Sequence, residues 1–236
     1  MNWPQWGVET ATTCYAISAA AYLLMLNRWP QWLKIYASLL EKVAKGSLLL
    51  GFILAALSLF HEGILVTNEY NAFIFLSGAI LTIHRFFNRK KEWAGLNAVV
   101  VLLALFSLGY AQWFDRLALP MEPLGRSRWF VAHSTLQFLS YGFLAVSFAA
   151  GFFYWISRWK RRMDEKEMEP LLLASHKTLA AGFLFLTGSI VSGIISTRRV
   201  YGSYWGWEPN EVLVLALWGI LAIYLYLCKK SVLLSR

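Results

Sequence analysis

The chain has 236 residues, of which 58% are hydrophobic and 15% charged, with 22 basic against 13 acidic side chains. A composition this apolar excludes an ordinary soluble domain and a disordered chain, and it marks a membrane protein. The net charge of +9 comes from Lys and Arg in the connections between apolar runs, so the expected neighbour is membrane lipid and no nucleic acid is expected as a partner.

The apolar runs lie, in chain order, near residues 7–27, 46–65, 70–87, 94–114, 129–157, 171–196 and 212–228. A bilayer span needs roughly 20 helical residues, so about seven spans are predicted, the short third and seventh runs being accommodated by tilt or local thinning. The first run has no basic stretch before it and no small-residue cleavage site after it, and it reads as a retained helix rather than a signal peptide. No connection is long enough for a soluble domain. Residues 1–236 therefore read as one all-α, polytopic transmembrane helical bundle, integral to the membrane.

With seven spans the connections fall into two sets. Seventeen of the 22 basic residues lie in one set, and only Arg116, Arg126, Arg128, Arg198 and Arg199 lie in the other. Basic connections stay in the cytoplasm, which predicts an outer amino terminus and a cytoplasmic carboxyl terminus. The charged stretch at 158–170 then reads as a solvated cytoplasmic connection. Cys14 and Cys228 fall toward opposite faces, and the sequence holds no C-x-x-C pair, which excludes a dithiol oxidoreductase and an attached c-type haem. Both cysteines read as small packed side chains.

The chemistry concentrates in the predicted outer loop 198–211, which holds YGSYWGWEPNE after Arg198 and Arg199. Tyr201, Tyr204, Trp205 and Trp207 offer stacking faces for a flat ligand, and Gly202 and Gly206 permit bends and close approach. The same aromatic cluster also suits simple anchoring at the membrane interface. Four histidines are available as metal ligands, although a histidine within a span is more often a hydrogen-bonded structural residue. His133 lies a few residues into the fifth span, on the same predicted face as the loop, and His61 lies at the outer end of the second. His84 and His176 fall near the inner face, beside Arg85 and Lys177.

Gly202, Trp205 and Trp207, followed by Pro209 and Glu211, resemble the tryptophan-rich haem-handling motif W-G-x-x-W-x-W-D of the cytochrome c assembly proteins (the CcsA, ResC and CcmC group), and the continuation is closest to the CcsA branch. Tyr201 stands where the first Trp is usual and Glu208 where Asp is usual. SRWFVAHSTLQFLSYG at 127–142 is similar to the family helix that carries a His four positions after a Trp. NEYNAFIFLS at 68–77 and GFLFLTGSIVSGI at 182–194 resemble two further family segments.

What this resemblance implies is a protein that holds haem b at the outer face and presents it to apocytochrome c, as a component of a haem lyase that works with a ResB-like membrane subunit. His133 would ligate the iron. Tyr201, Tyr204, Trp205 and Trp207, with Gly202 and Gly206, would form the ring platform, and Arg198 and Arg199 would meet the propionates. Glu208 would orient the loop backbone or an Arg, and Glu211 would favour the positive end of the last helix. His61 is the candidate second ligand, although it stands about two residues from the family's His, a shift of about 200° on a regular helix. The family's later His position is held by Tyr226, and a further helix usually follows, whereas this sequence stops at Arg236. Two alternatives stay open: a non-catalytic haem-binding subunit similar to HemX, and a structural subunit of a respiratory complex.

Overall fold

The molecule is described by a computed structural model covering residues 3–25, 34–62, 68–87, 94–113, 127–160 and 164–234. Among these residues there are seven helices: α1 (Trp3–Leu24), α2 (Lys34–Glu62), α3 (Glu69–Phe87), α4 (Ala94–Ala111), α5 (Arg128–Trp159), α6 (Glu165–Tyr201) and α7 (Pro209–Leu234). Each predicted apolar run has become one helix. Four of them, α4, α5, α6 and α7, carry stretches long and apolar enough to cross a bilayer. Helix ends are set locally. Asn68 starts α3 by accepting the Asn71 N–H on its side-chain oxygen at 2.8 Å, the usual role of Asn before a first helical turn.

α6 is longer than its apolar run, beginning at Glu165 and holding Pro170 inside it. The 158–170 stretch is thus mostly helical, and residues 161–163 lie outside the described residues. At the other end α6 runs through Arg198 and Arg199 to Tyr201, so the non-helical loop spans 202–208 rather than 198–211. The physical reason is that aliphatic stems and helical hydrogen bonds continue past the last apolar residue until a conformation appears that the helix cannot hold.

The interior is built chiefly from α1, α3, α4 and α5. Tyr15, Leu96, Val100, Val101, Ala104, Leu108 and Val146 are fully buried there. Large apolar side chains also face outward: Phe106 is 72% exposed and Leu184 and Leu213 are each 69% exposed. Exposed apolar faces of this extent are unstable in water and suit hydrocarbon.

Since lipid is as apolar as leucine, helix association in a membrane relies on close packing and polar contacts. The α5–α6 pair is joined in this way. Ser147 Oγ donates to the Ser175 carbonyl at 2.9 Å and Ser175 Oγ returns a bond to the Ser147 carbonyl at 3.0 Å. Ser140 Oγ donates to the Gly182 carbonyl at 2.8 Å. His133 Nδ1 lies 2.8 Å from the Ser189 carbonyl. These three levels are seven residues apart on each helix, two turns at a time, which keeps them on one seam between antiparallel helices. His133 occupies the end level of a ladder whose other levels are serines.

Candidate functional site

The site begins where α6 stops. Gly202 adopts φ 76, in the left-handed region open to glycine. Its N–H bonds back to the Arg198 carbonyl at 3.1 Å, and the Arg198 guanidinium donates to the Gly202 carbonyl. The same guanidinium sits 4.9 Å from the centroid of the Tyr204 ring, and that of Arg199 sits 5.4 Å from the Trp129 ring. Cation–π contacts of this kind tie the first part of the loop to the ends of α5 and α6.

The far end of the loop is set by α7. Pro209 is its first helical residue, where a fixed φ and a missing N–H are tolerated, and Glu208 supplies the first helical acceptor, its carbonyl taking the Val212 N–H at 3.1 Å. Glu211 Oε2 accepts the backbone N–H of Gly206 at 2.9 Å and of Glu208 at 3.3 Å. The backbone-orienting role expected of Glu208 therefore belongs to Glu211. Glu208 stands just before the helix and contributes its N–H, while Glu211, three residues on, has the reach to fold back over the loop. Between the two bonded amides, Trp207 has φ 59, in the left-handed region. For a bulky side chain this conformation costs about 1 kcal/mol.

His133 faces this loop from the second turn of α5. A carbonyl oxygen only accepts, so the 2.8 Å contact with Ser189 puts the imidazole proton on Nδ1 and leaves the lone pair on Nε2. Ser189 Oγ adds contacts to Nδ1 at 3.1 Å and to the His133 carbonyl at 3.2 Å. A ring fixed through one nitrogen with the other available is the arrangement of a metal-ligating histidine.

His133 lines a cleft of about 170 Å³ with Gln137, Tyr204, Trp205, Glu208, Glu211 and several apolar side chains of α5, α6 and α7. The Nε1–H of Trp205 is buried without a hydrogen-bond partner among the described residues. A buried donor left unmet is costly, and here it lies in a residue that lines the cleft. One imidazole lone pair, apolar side chains set beside polar ones, and two unmet polar groups, the Trp205 Nε1–H and the Ser196 hydroxyl, fit the edge of a planar, metal-bearing ring with oxygen substituents.

Of the residues nominated from sequence, the structure brings His133, Tyr204, Trp205 and Glu208 to this cleft. Tyr201, Gly202, Gly206, Trp207, Arg198 and Arg199 do not line it. The Trp205 and Trp207 rings pack edge to face, centroids 6.4 Å apart and planes at 78°, and Trp207 is 77% exposed. The two indoles do not form one flat platform. His61 is the penultimate residue of α2, and its side chain lies outside the described residues. His84 Nε2 pairs with Asn97 Oδ1 at 2.8 Å, and His176 stacks on Tyr224 at 6.0 Å. The sequence gives Glu211 a helix-end role and marks the small residues from Gly188 to Gly193 as a helix-packing face, without tying Ser189, Gly193 or Gln137 to the site.

The fold and cleft define a polytopic helical membrane protein with a histidine and an aromatic loop meeting at one end of its α5–α7 unit. The cytochrome C assembly protein family matches residues 66–235, so the chain belongs to that family. Relatives named cytochrome c biogenesis protein CcsA include one from Aethionema cordifolium, 28% identical over 219 residues, covering 70% of this chain and 66% of the relative. Another, from Barbarea verna, is 27% identical over 215 residues, covering 69% and 65%. A third, from Trieres chinensis, is 26% identical over 255 residues, covering 92% and 80%. The matched stretch thus spans slightly less than two thirds of the Aethionema and Barbarea proteins.

Proposed function

We propose that this protein acts in cytochrome c assembly by holding haem b in the cleft between α5, α6 and α7, where His133 Nε2 would ligate its iron. The single observation that carries the reading is the Nδ1–H of His133 fixed on the Ser189 carbonyl, since it leaves Nε2 free to ligate in the cleft that Trp205 and Tyr204 also line. Bound haem would supply the vinyl carbons to which cysteine thiols of apocytochrome c add, giving thioether bonds. Trp205 and Tyr204 would hold the ring, and the unpartnered Trp205 Nε1–H would donate to an oxygen of the ligand. Arg198 and Arg199 stand outside the cleft lining and would meet only propionates that extend beyond it, through guanidinium N–H groups not used against Gly202, Tyr204 and Trp129. In this reading the protein contributes ligation and orientation, while the reacting groups belong to haem and the apoprotein.

The aromatic loop faces outward from the cytoplasm in this reading, with the amino terminus on the same side. His61, or a side chain from a ResB-like subunit, would supply a second ligand to the iron. Co-expression with a ResB-like partner, in a bacterium lacking its own assembly proteins, tests the function by the covalent haem stain of a reporter c-type cytochrome. Stain in the wild type and none in His133→Ala is expected. Haem retained by the purified chain with no stained cytochrome would favour the second reading, a non-catalytic haem-binding subunit, which Tyr226 at the family's His position supports. Absence of both would refute the haem assignment.

A further inference from the structure

We propose that Glu211 is the positioning residue of the aromatic loop, a built-in anion that holds Trp207 in its left-handed conformation and thereby sets where both loop indoles stand. A carboxylate at the third helical position that accepts the N–H of the residue before the helix is an ordinary capping contact, and the 3.3 Å bond to Glu208 is of that kind. The shorter bond, 2.9 Å to Gly206 N–H, is outside that pattern. It brings a second amide, on the far side of Trp207, to the same oxygen. A left-handed residue turns its flanking N–H groups toward one point, which makes a cavity for an anion. Glu211 Oε2 fills it from within the chain.

The need for such a device follows from Trp207 itself. It is the one non-glycine residue with positive φ among the described residues, and it is largely exposed, so burial does not hold it there. Strained backbone persists only where its surroundings over-determine it. At the other end the loop is closed by Gly202, which adopts positive φ without penalty, and by the Arg198 guanidinium on the Gly202 carbonyl. The carboxylate is thus the restraint that the Trp207 end lacks. Glu211 also lines the cleft that His133 lines, so the consequence for haem rests on the reading above, whereas the restraint on the loop does not.

Residue-resolved amide hydrogen exchange of the full chain in detergent tests the restraint without haem. Glu211→Ala should speed exchange at Gly206 and Glu208 at least tenfold and leave the amides of α5 and α6 unchanged. Glu211→Gln, which keeps an acceptor oxygen, should retain most of the protection. Unchanged exchange at both amides in Glu211→Ala would overturn the proposal. If Glu211→Ala instead loosens α5 and α6, Glu211→Gln decides: protection kept at Gly206 and Glu208, or lost there while α5 and α6 stay protected, supports the restraint, and exchange that rises equally across the loop, α5 and α6 refutes it. Haem retention then separates the two claims. Glu211→Ala should lower it several-fold in the wild type and add nothing in a Trp207→Ala background. Faster exchange with undiminished haem would leave the restraint standing and remove the loop from the haem site.

Discussion

A methyl group built on Gly193 of α6 would lie 2.8 Å from Nδ1 of His133 and 3.1 Å from its Cε1, so this glycine is the space that the imidazole occupies. The ring has nowhere to retreat, because Ser189, one helical turn earlier, holds the same nitrogen. Gly193→Ala should therefore displace the ring or spread α5 from α6, at about 1–3 kcal/mol. Thermal unfolding in detergent should show the loss, and any His133-dependent absorption should shift with it. An alanine variant with unchanged stability and spectrum would show that the ring sits elsewhere.

The serine ladder predicts smaller effects. Ser140→Ala and Ser189→Ala each remove a hydroxyl that bonds across the α5–α6 seam, and such bonds in membranes are worth about 0.6 kcal/mol on average. Ser189→Ala leaves its carbonyl in place, so Nδ1 keeps its acceptor and the imidazole its tautomer. Unfolding should shift modestly, and the spectrum of a haem-loaded protein should not move.

Trp207 separates stability from ligand binding. Glycine accepts φ 59 without the penalty that tryptophan bears, and the exposed indole contributes no core packing. Trp207→Gly should match or slightly exceed the wild type in thermal stability while haem retention falls. Equal haem occupancy would make this indole a membrane anchor.

The histidines should divide sharply. His84 is paired with Asn97 and His176 is stacked on Tyr224, so alanine at either should lower stability and leave haem coordination intact. His61→Ala should turn six-coordinate low-spin haem into a five-coordinate form if this chain supplies both ligands. An unchanged low-spin spectrum in His61→Ala would assign the second ligand to a partner subunit.

Much of the fold could be read from the sequence because hydrophobic runs of span length have few alternatives to helix: all seven became helices, from α1 through α7. Their ends were harder. Arg198 and Arg199 read as loop residues by charge, yet the last turn of α6 includes them, because the stop signal is Gly202. His133 and the loop were brought to one face by topology and motif, and the cleft unites His133 with Tyr204 and Trp205. The contacts that fix them were not legible. Ser189 and Gly193 lie 56 and 60 positions beyond His133, and only the antiparallel register of α5 against α6 makes them neighbours. Glu208 and Glu211 differ by reach along a helix start, which composition does not encode.

The central claim is tested most directly by the visible spectrum of the purified, haem-loaded chain in wild-type and His133→Ala forms, with haem content measured alongside. With His133 Nε2 on the iron, the variant should lose most of its haem, or retain it with shifted Soret and visible bands, while helix content is unchanged. Full haem content with an unaltered spectrum in His133→Ala would contradict the account.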